Sequence, residues 1–283
     1  MLGWSKKNTD GAYMDPVTAA GAIAATPPDL LRMIYSDFAK PGVQQAGKAL
    51  ATIIGLGNTA LLPIYWLNER ARICIQANLD AYAKKLADVP PEKIVSPAPE
   101  IGTPLLEQMM FTQEPTLVDM YATLLAKASN MDEVDAVHPS FVNVVKNISP
   151  DEAMFLKEIP FDEVEVPCSA MVVAGPVGPS IIVEQYLFAK KRVVGLKAPR
   201  NMSVYVPNLG GLGILQIMAG SMNMKLSAEY FEIAEENKYA AENMKGLLNL
   251  PDAPQPTYLN RTILLTNYGI LFLTAVGMRK PFN

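Results

Sequence analysis

EPTLVDMYATLLAKASNMDEVDAVHPSFVNVVKNISPDEAMFLKE, residues 114–158, reads as three helices in a row. Pro115 suits the first turn of the first helix, where its missing N–H has no partner to lose. Leu117, Met120, Tyr121, Leu124, Leu125 and Ala128 recur at three- and four-residue spacing and share one face, leaving Asp119 and Lys127 on the other. The second helix starts near His138-Pro139-Ser140 and turns Phe141, Val144, Val145 and Ile148 inward. The third opens with Ser149-Pro150-Asp151-Glu152: Ser149 caps, Pro150 takes the first position, and Glu152 reaches back to the Ser149 N–H. Its acidic first turn also meets the positive end of the helix dipole.

Outward from this stretch, composition sets the class. The chain has 283 residues, enough for one large core or two small domains. Half of the residues are hydrophobic and 18% charged, which excludes a largely disordered protein. A net charge of -4 excludes bulk attraction to nucleic acid or anionic lipid, so any such contact needs a local patch. Cys74 and Cys168 match no ligand spacing and read as small buried hydrophobes. The single histidine, His138, precedes a proline at a helix start, where capping or packing suits it better than acid-base work. No cofactor or metal is expected. Lys6 and Lys7 are not followed by an apolar core, so the N-terminus does not read as a secretory signal, and a cytoplasmic, reducing setting is expected.

Upstream, residues 1–42 form an arm with two short helical patterns that bury little alone. Residues 43–104 form an apolar helical region and a connector. Within it Ala49 to Leu67, ALATIIGLGNTALLPIYWL, is the most apolar stretch, with Ile53, Ile54, Leu56, Leu61, Leu62 and Trp66 as its large side chains. Its length approaches the roughly 20 apolar residues a bilayer requires. Asn58, the glycines Gly55 and Gly57, Pro63 and tight flanking charges favour a helix in a core or subunit interface; membrane insertion, either constant or only on activation, is the alternative. Asn68 to Ala87 continues as an amphipathic helix with Cys74, Ile75, Leu79, Tyr82 and Leu86 inward. Val89 to Pro104, with five prolines, reads as an extended surface connector.

Residues 105–283 carry the three helices and the segments C-terminal to them. Between Phe161 and Val206 the runs VEVP, AMVVAG, SIIVEQYLF and KRVVGL read as short strands. NLGGLGIL, residues 208–215, reads as a helix breaking at glycine into a strand, since it lacks the lysine of a phosphate loop. Leu226 to Leu250 is a charged helix with Glu229, Glu232, Glu235 and Glu236 on a solvated face. Tyr258 to Thr266 is a strand able to pair with the one near residue 215 as a two-stranded antiparallel ribbon, and Asn267 to Val276 a closing helix. The expected class is mainly α with minor β (α+β): a helical N-terminal part and a winged-helix-like C-terminal part. In a winged helix the basic run AKKRVVGLKAPR would supply phosphate contacts through Lys190, Lys191, Arg192, Lys197 and Arg200. A solvated or self-assembly role competes with nucleic acid and with anionic lipid for those cations.

LLAKASN, VHPSF and LKEI after SPDEA, in this order, resemble the Abi-alpha family, bacterial proteins named for abortive infection by phage. LLPIYWLNERARI and residues 79–115 resemble the family's apolar helix and proline-rich connector. NLGGLGIL resembles its NLxxLGLI-like segment, and Leu265, Thr266, Gly269 and Phe272 carry its closing L-T-x-x-G-x-x-F pattern. The likeness spans roughly residues 45–277. Gly210-Gly211 departs from it, standing where the family often has charged residues, and Phe161 to Val206 does not align. The resemblance implies phage defence and supplies no catalytic residues. The expectation is therefore a non-enzymatic defence protein acting by self-association or with another protein, and at a membrane if the apolar helix inserts. A DNA-binding regulator is the alternative, and a hydrolase with an unrecognised site a third class. No small-molecule substrate is identified from sequence.

Overall fold

The computed structural model describes residues 69–160, 162–173, 181–218, 223–238, 243 and 257–280. The arm 1–42 and the apolar stretch 49–67 lie outside the described residues. The order of elements is α1 (Glu69–Leu86), a 3-10 turn (Pro91–Lys93), α2 (Pro99–Met109), α3 (Pro115–Ala128), α4 (Pro139–Lys146), α5 (Pro150–Lys157), β1 (Glu165–Val173), β2 (Ile181–Leu187), α6 (Lys190–Val193), α7 (Met202–Gly211), β3 (Leu215–Met218), α8 (Ser227–Glu236), β4 (Thr257–Leu265) and α9 (Asn267–Ala275). The class is mainly α with minor β, as composition and periodicity predict.

The central helices form where the local signals place them. Met120, Tyr121, Leu124, Leu125 and Ala128 of α3 are all buried, and so are Phe141, Val144, Val145 and Ile148. His138 caps α4 by accepting the Ser140 N–H on its ring Nδ1 at 3.1 Å. Ser149 Oγ accepts from the Glu152 N–H at 3.2 Å while Glu152 Oε2 accepts from the Ser149 N–H at 2.6 Å, completing the reciprocal cap of α5. In α1 Ile75, Leu79, Tyr82 and Leu86 face α3, and Tyr82 shares a 2.8 Å hydrogen bond with Ser129. Asn78 is also buried, donating to the Met109 and Thr112 carbonyls at 2.6 and 2.9 Å, which satisfies the last carbonyl of α2 and one in the turn that follows it.

The connector is shorter than its prolines suggest. Pro99 takes the first position of α2, and Pro104 lies inside that helix rather than ending the extended region. Pro104 removes one intrahelical N–H, but Ile101, Leu105, Leu106 and Met109 are buried on one face, and their burial keeps the turn helical. The extended part is tied down by the bridge between Ile94 and Asn130.

The four strands form one antiparallel sheet in the order β2-β1-β4-β3. The expected pair is present, with Ile217 opposite Ile263, but it is one half of this larger sheet and not a free-standing ribbon. VEVP and AMVVAG join as the single strand β1. Pro167 fits within it because β2 pairs only from Ser169 onward, leaving that flank of β1 open where the missing N–H falls. KRVVGL is not a strand: Lys190–Val193 is a helical turn.

α7 breaks at Gly213, whose φ of 78° is the left-handed conformation glycine tolerates, and the chain enters β3. Gly211 has open space around it, and a side chain at Gly210 would meet only the Leu215 carbonyl at an ordinary 3.7 Å. Both glycines of the Gly210-Gly211 departure therefore stand where side chains fit. The closing pattern is structural letter by letter. Leu265 is buried, Thr266 caps α9 by accepting the Gly269 N–H at 2.8 Å, and a Cβ on Gly269 would lie 2.3 Å from the Ile214 carbonyl oxygen. Phe272 is fully buried against Phe141, with ring centroids 5.7 Å apart.

α8 covers the other face of the sheet through Tyr230 and Ile233, with the Tyr230 hydroxyl 2.9 Å from Thr262 Oγ1 and donating to the Arg261 carbonyl at 3.1 Å. Its described length ends at Glu236, so the charged pattern beyond residue 238 is outside the description except at Asn243. Glu229, expected on a solvated face, is buried at 8% exposure because it faces Arg192.

Candidate functional site

The basic run Lys190 to Arg200 is where sequence placed the candidate contacts, and the fold divides its five cations into two groups. Three are held by carboxylates. Arg192 donates through Nε and Nη2 to both carboxylate oxygens of Glu229, at 2.5 and 2.9 Å, and through Nη2 to Glu163 at 2.8 Å. This planar fork matches a carboxylate and ties α6 to α8 and to the loop before β1. Burial alone would lower the Arg192 guanidinium, but the bonds to Glu229 and Glu163 and their charges hold it above its ordinary value. Lys191 pairs with Glu232 at 2.8 Å and approaches Glu229 at 3.6 Å; the Glu232 hydrogen bond raises its ammonium. Lys197 reaches Glu114 at 3.3 Å across an exposed surface, a weak pair in water.

The backbone of the run is anchored as well. Asp151, in the first turn of α5, accepts from the Lys197 and Ala198 N–H groups at 2.9 and 2.7 Å and from the Tyr205 hydroxyl at 3.0 Å. Burial works to raise its carboxyl, but these donors and the Lys197 charge outweigh it and hold the group below the usual carboxylate value. The Lys190 N–H donates to Glu236 at 2.7 Å. Carboxylates from α5, α8 and the loop before β1 therefore fix the shape of this turn.

Lys190 and Arg200 stand apart. Both side chains are exposed, and no described residue forms an ion pair with either. Both line one cleft of about 440 Å³ between β2, α6, the start of α7 and the end of α8. Its walls are apolar, from Met171, Leu187, Val193 and Met202 together with the buried rings of Tyr186 and Phe188. Glu184, Asn237 and Asn243 add the remaining polar groups. Sequence reading named the two cations but none of the walls. Those residues come from four separate segments, and no local spacing links them.

Cys168 is fully buried and burial pushes its thiol up to about 12, so it is a packed hydrophobe and not a nucleophile. Cys74 is half-buried, 3.1 Å from the Thr112 carbonyl. Among the described residues no group of three or more His, Cys, Asp or Glu side chains could hold a metal ion, and no helix is long and apolar enough to cross a membrane. Ile53, Ile54, Leu56, Leu61, Leu62 and Trp66 lie outside those residues. No observation favours the duplex-DNA alternative.

Together the fold and this site define a mainly helical protein with a four-stranded antiparallel sheet and a partly charged cleft beside a carboxylate-braced basic turn. The chain belongs to the abortive infection alpha family, whose model matches residues 74–276. Membership associates it with abortive infection, a defence against phage. No curated protein and no solved structure matches it.

Proposed function

We propose that this chain is a non-enzymatic phage-defence protein of the cytoplasm that acts by assembly, through self-association or with a protein partner, and that its apolar stretch 49–67 is the assembly helix. Family membership is the observation that carries the defence role. Assembly is supported by the sequence of that stretch, whose large apolar side chains Ile53, Ile54, Leu56, Leu61, Leu62 and Trp66 require burial, while its glycines and flanking charges suit a bilayer poorly. Met224 and Phe231, at 69% and 68% exposure around the start of α8, add apolar surface elsewhere on the molecule.

Ile54→Lys tests the reading. The substitution places a charge in the middle of the stretch, so the variant is expected to sediment as a smaller species than wild type, to lose protection against phage, and to keep the wild-type circular dichroism spectrum. An unchanged sedimentation coefficient with full protection contradicts assembly through this helix. Wild-type protein floating with lipid vesicles, with Ile54→Lys remaining in the aqueous fraction, would instead make the membrane the site of action.

A further inference from the structure

We propose that the cleft beside α6 binds a small organic anion: one carboxylate, sulfonate or phosphate group on a flat apolar body. This is independent of how the defence protein assembles. Lys190 and Arg200 are the two cations of the basic run whose side chains form no ion pair with a described residue, and both line the same cleft. Among the described residues Glu184 is the one carboxylate on its lining, so the described lining side chains sum to one positive charge, from two cations and one anion, with the Glu236 carboxylate close by on the Lys190 N–H. Burying apolar surface against Tyr186, Phe188, Met171 and Met202 favours a ligand with an apolar body, and a charge-assisted contact to Lys190 and Arg200 selects an anion. The guanidinium of Arg200 can meet two oxygens of such a group side by side, while Lys190 supplies a flexible point charge. Asn237 and Asn243 can donate to or accept from polar atoms on the ligand body.

The arrangement is built for a small ligand. A volume of about 440 Å³ falls within the range of small-molecule clefts, and its apolar walls do not suit a polyanion backbone. The turn carrying Lys190 is also rigid before any ligand arrives. Arg192 and Lys191 clamp it to α8, and Asp151 holds the backbone at Lys197 and Ala198. Fixing in advance the backbone that carries the cations reduces part of the ordering cost of binding. This gives the internal ion pairs a role at the cleft that they would not have as isolated surface pairs.

Titration of the full chain with anilinonaphthalene sulfonate, a flat apolar anion, tests the proposal, with the neutral dye phenylnaphthylamine as the control. Saturable binding of the anion is expected, weakened about tenfold in each of Lys190→Gln and Arg200→Gln, since one charge-assisted bond corresponds to roughly one decade in Kd. Glu184→Gln should tighten it, Arg200→Lys should recover part of the loss, and the neutral dye should bind all variants alike. Equal anion binding by wild type and both charge variants, equal losses for both dyes, or no saturable anion binding would overturn the proposal. Because the Lys190 and Arg200 side chains are exposed and bear no described ion pair, both variants are expected to fold. Glu184→Gln supplies a shift of opposite sign that a folding defect would not produce.

Discussion

Arg192 lies between Glu229 and Glu163 with its side chain 6% exposed, and it is the residue on which the basic turn depends. Removing it leaves the Glu229 carboxylate desolvated, a loss that charge-neutral replacement of both partners avoids. Arg192→Met should lower unfolding stability by about 3 kcal/mol in urea titrations, whereas Arg192→Met with Glu229→Met should return to within about 1 kcal/mol of wild type. A double variant that loses the sum of the Arg192→Met and Glu229→Met single losses would show that the pair is not coupled. The sequence could not disclose this role. Glu229 stands 37 residues from Arg192, and its spacing with Glu232, Glu235 and Glu236 reads as a solvated face. Only the packing of α8 on the sheet turns Glu229 toward the arginine. Ser149 and His138 were legible for the opposite reason: their capping partners lie two or three residues away, and the chemistry of the cap is local.

Among the elements, α3, α4 and α5 could be read from periodicity and caps, and α7 with its glycine break from NLGGLGIL. α2 and α6 could not. Pro104 is a helix breaker by propensity, and Val193-Val194 favours strand, yet buried contacts in one case and anchoring carboxylates in the other decide the backbone. α9 offers a test of close packing. Gly269→Ala puts a methyl 2.3 Å from the Ile214 carbonyl and 3.0 Å from Leu265 Cδ1, so it should destabilise the fold by about 1–3 kcal/mol in thermal or urea unfolding. Gly211→Ala, with open space at its Cβ, should stay within about 0.5 kcal/mol of wild type or gain slightly. Equal effects at the two glycines would mean that α9 does not rest on the Ile214 carbonyl. The family's closing pattern is thus a packing device, which explains how such motifs can mark a family without marking chemistry.

At the level of the whole molecule, helices from both sides of the proline-rich connector share one core: α1 packs on α3, and the sheet closes against the same cluster through Val166, Cys168 and Ile263. Strand order was not legible, because β1 and β4 are separated by more than eighty residues and nothing in either strand names its partner. The cleft was invisible for the same reason. The defence role came from motif order and the family match, and the mode of action is the central proposal. The most direct measurement is growth of bacteria expressing the chain, against cells carrying empty vector, after phage infection at low and at high multiplicity. Abortive defence predicts that the culture survives at low multiplicity and collapses at high multiplicity, as infected cells die before releasing phage. Growth curves identical to the vector control across a broad phage panel would contradict it.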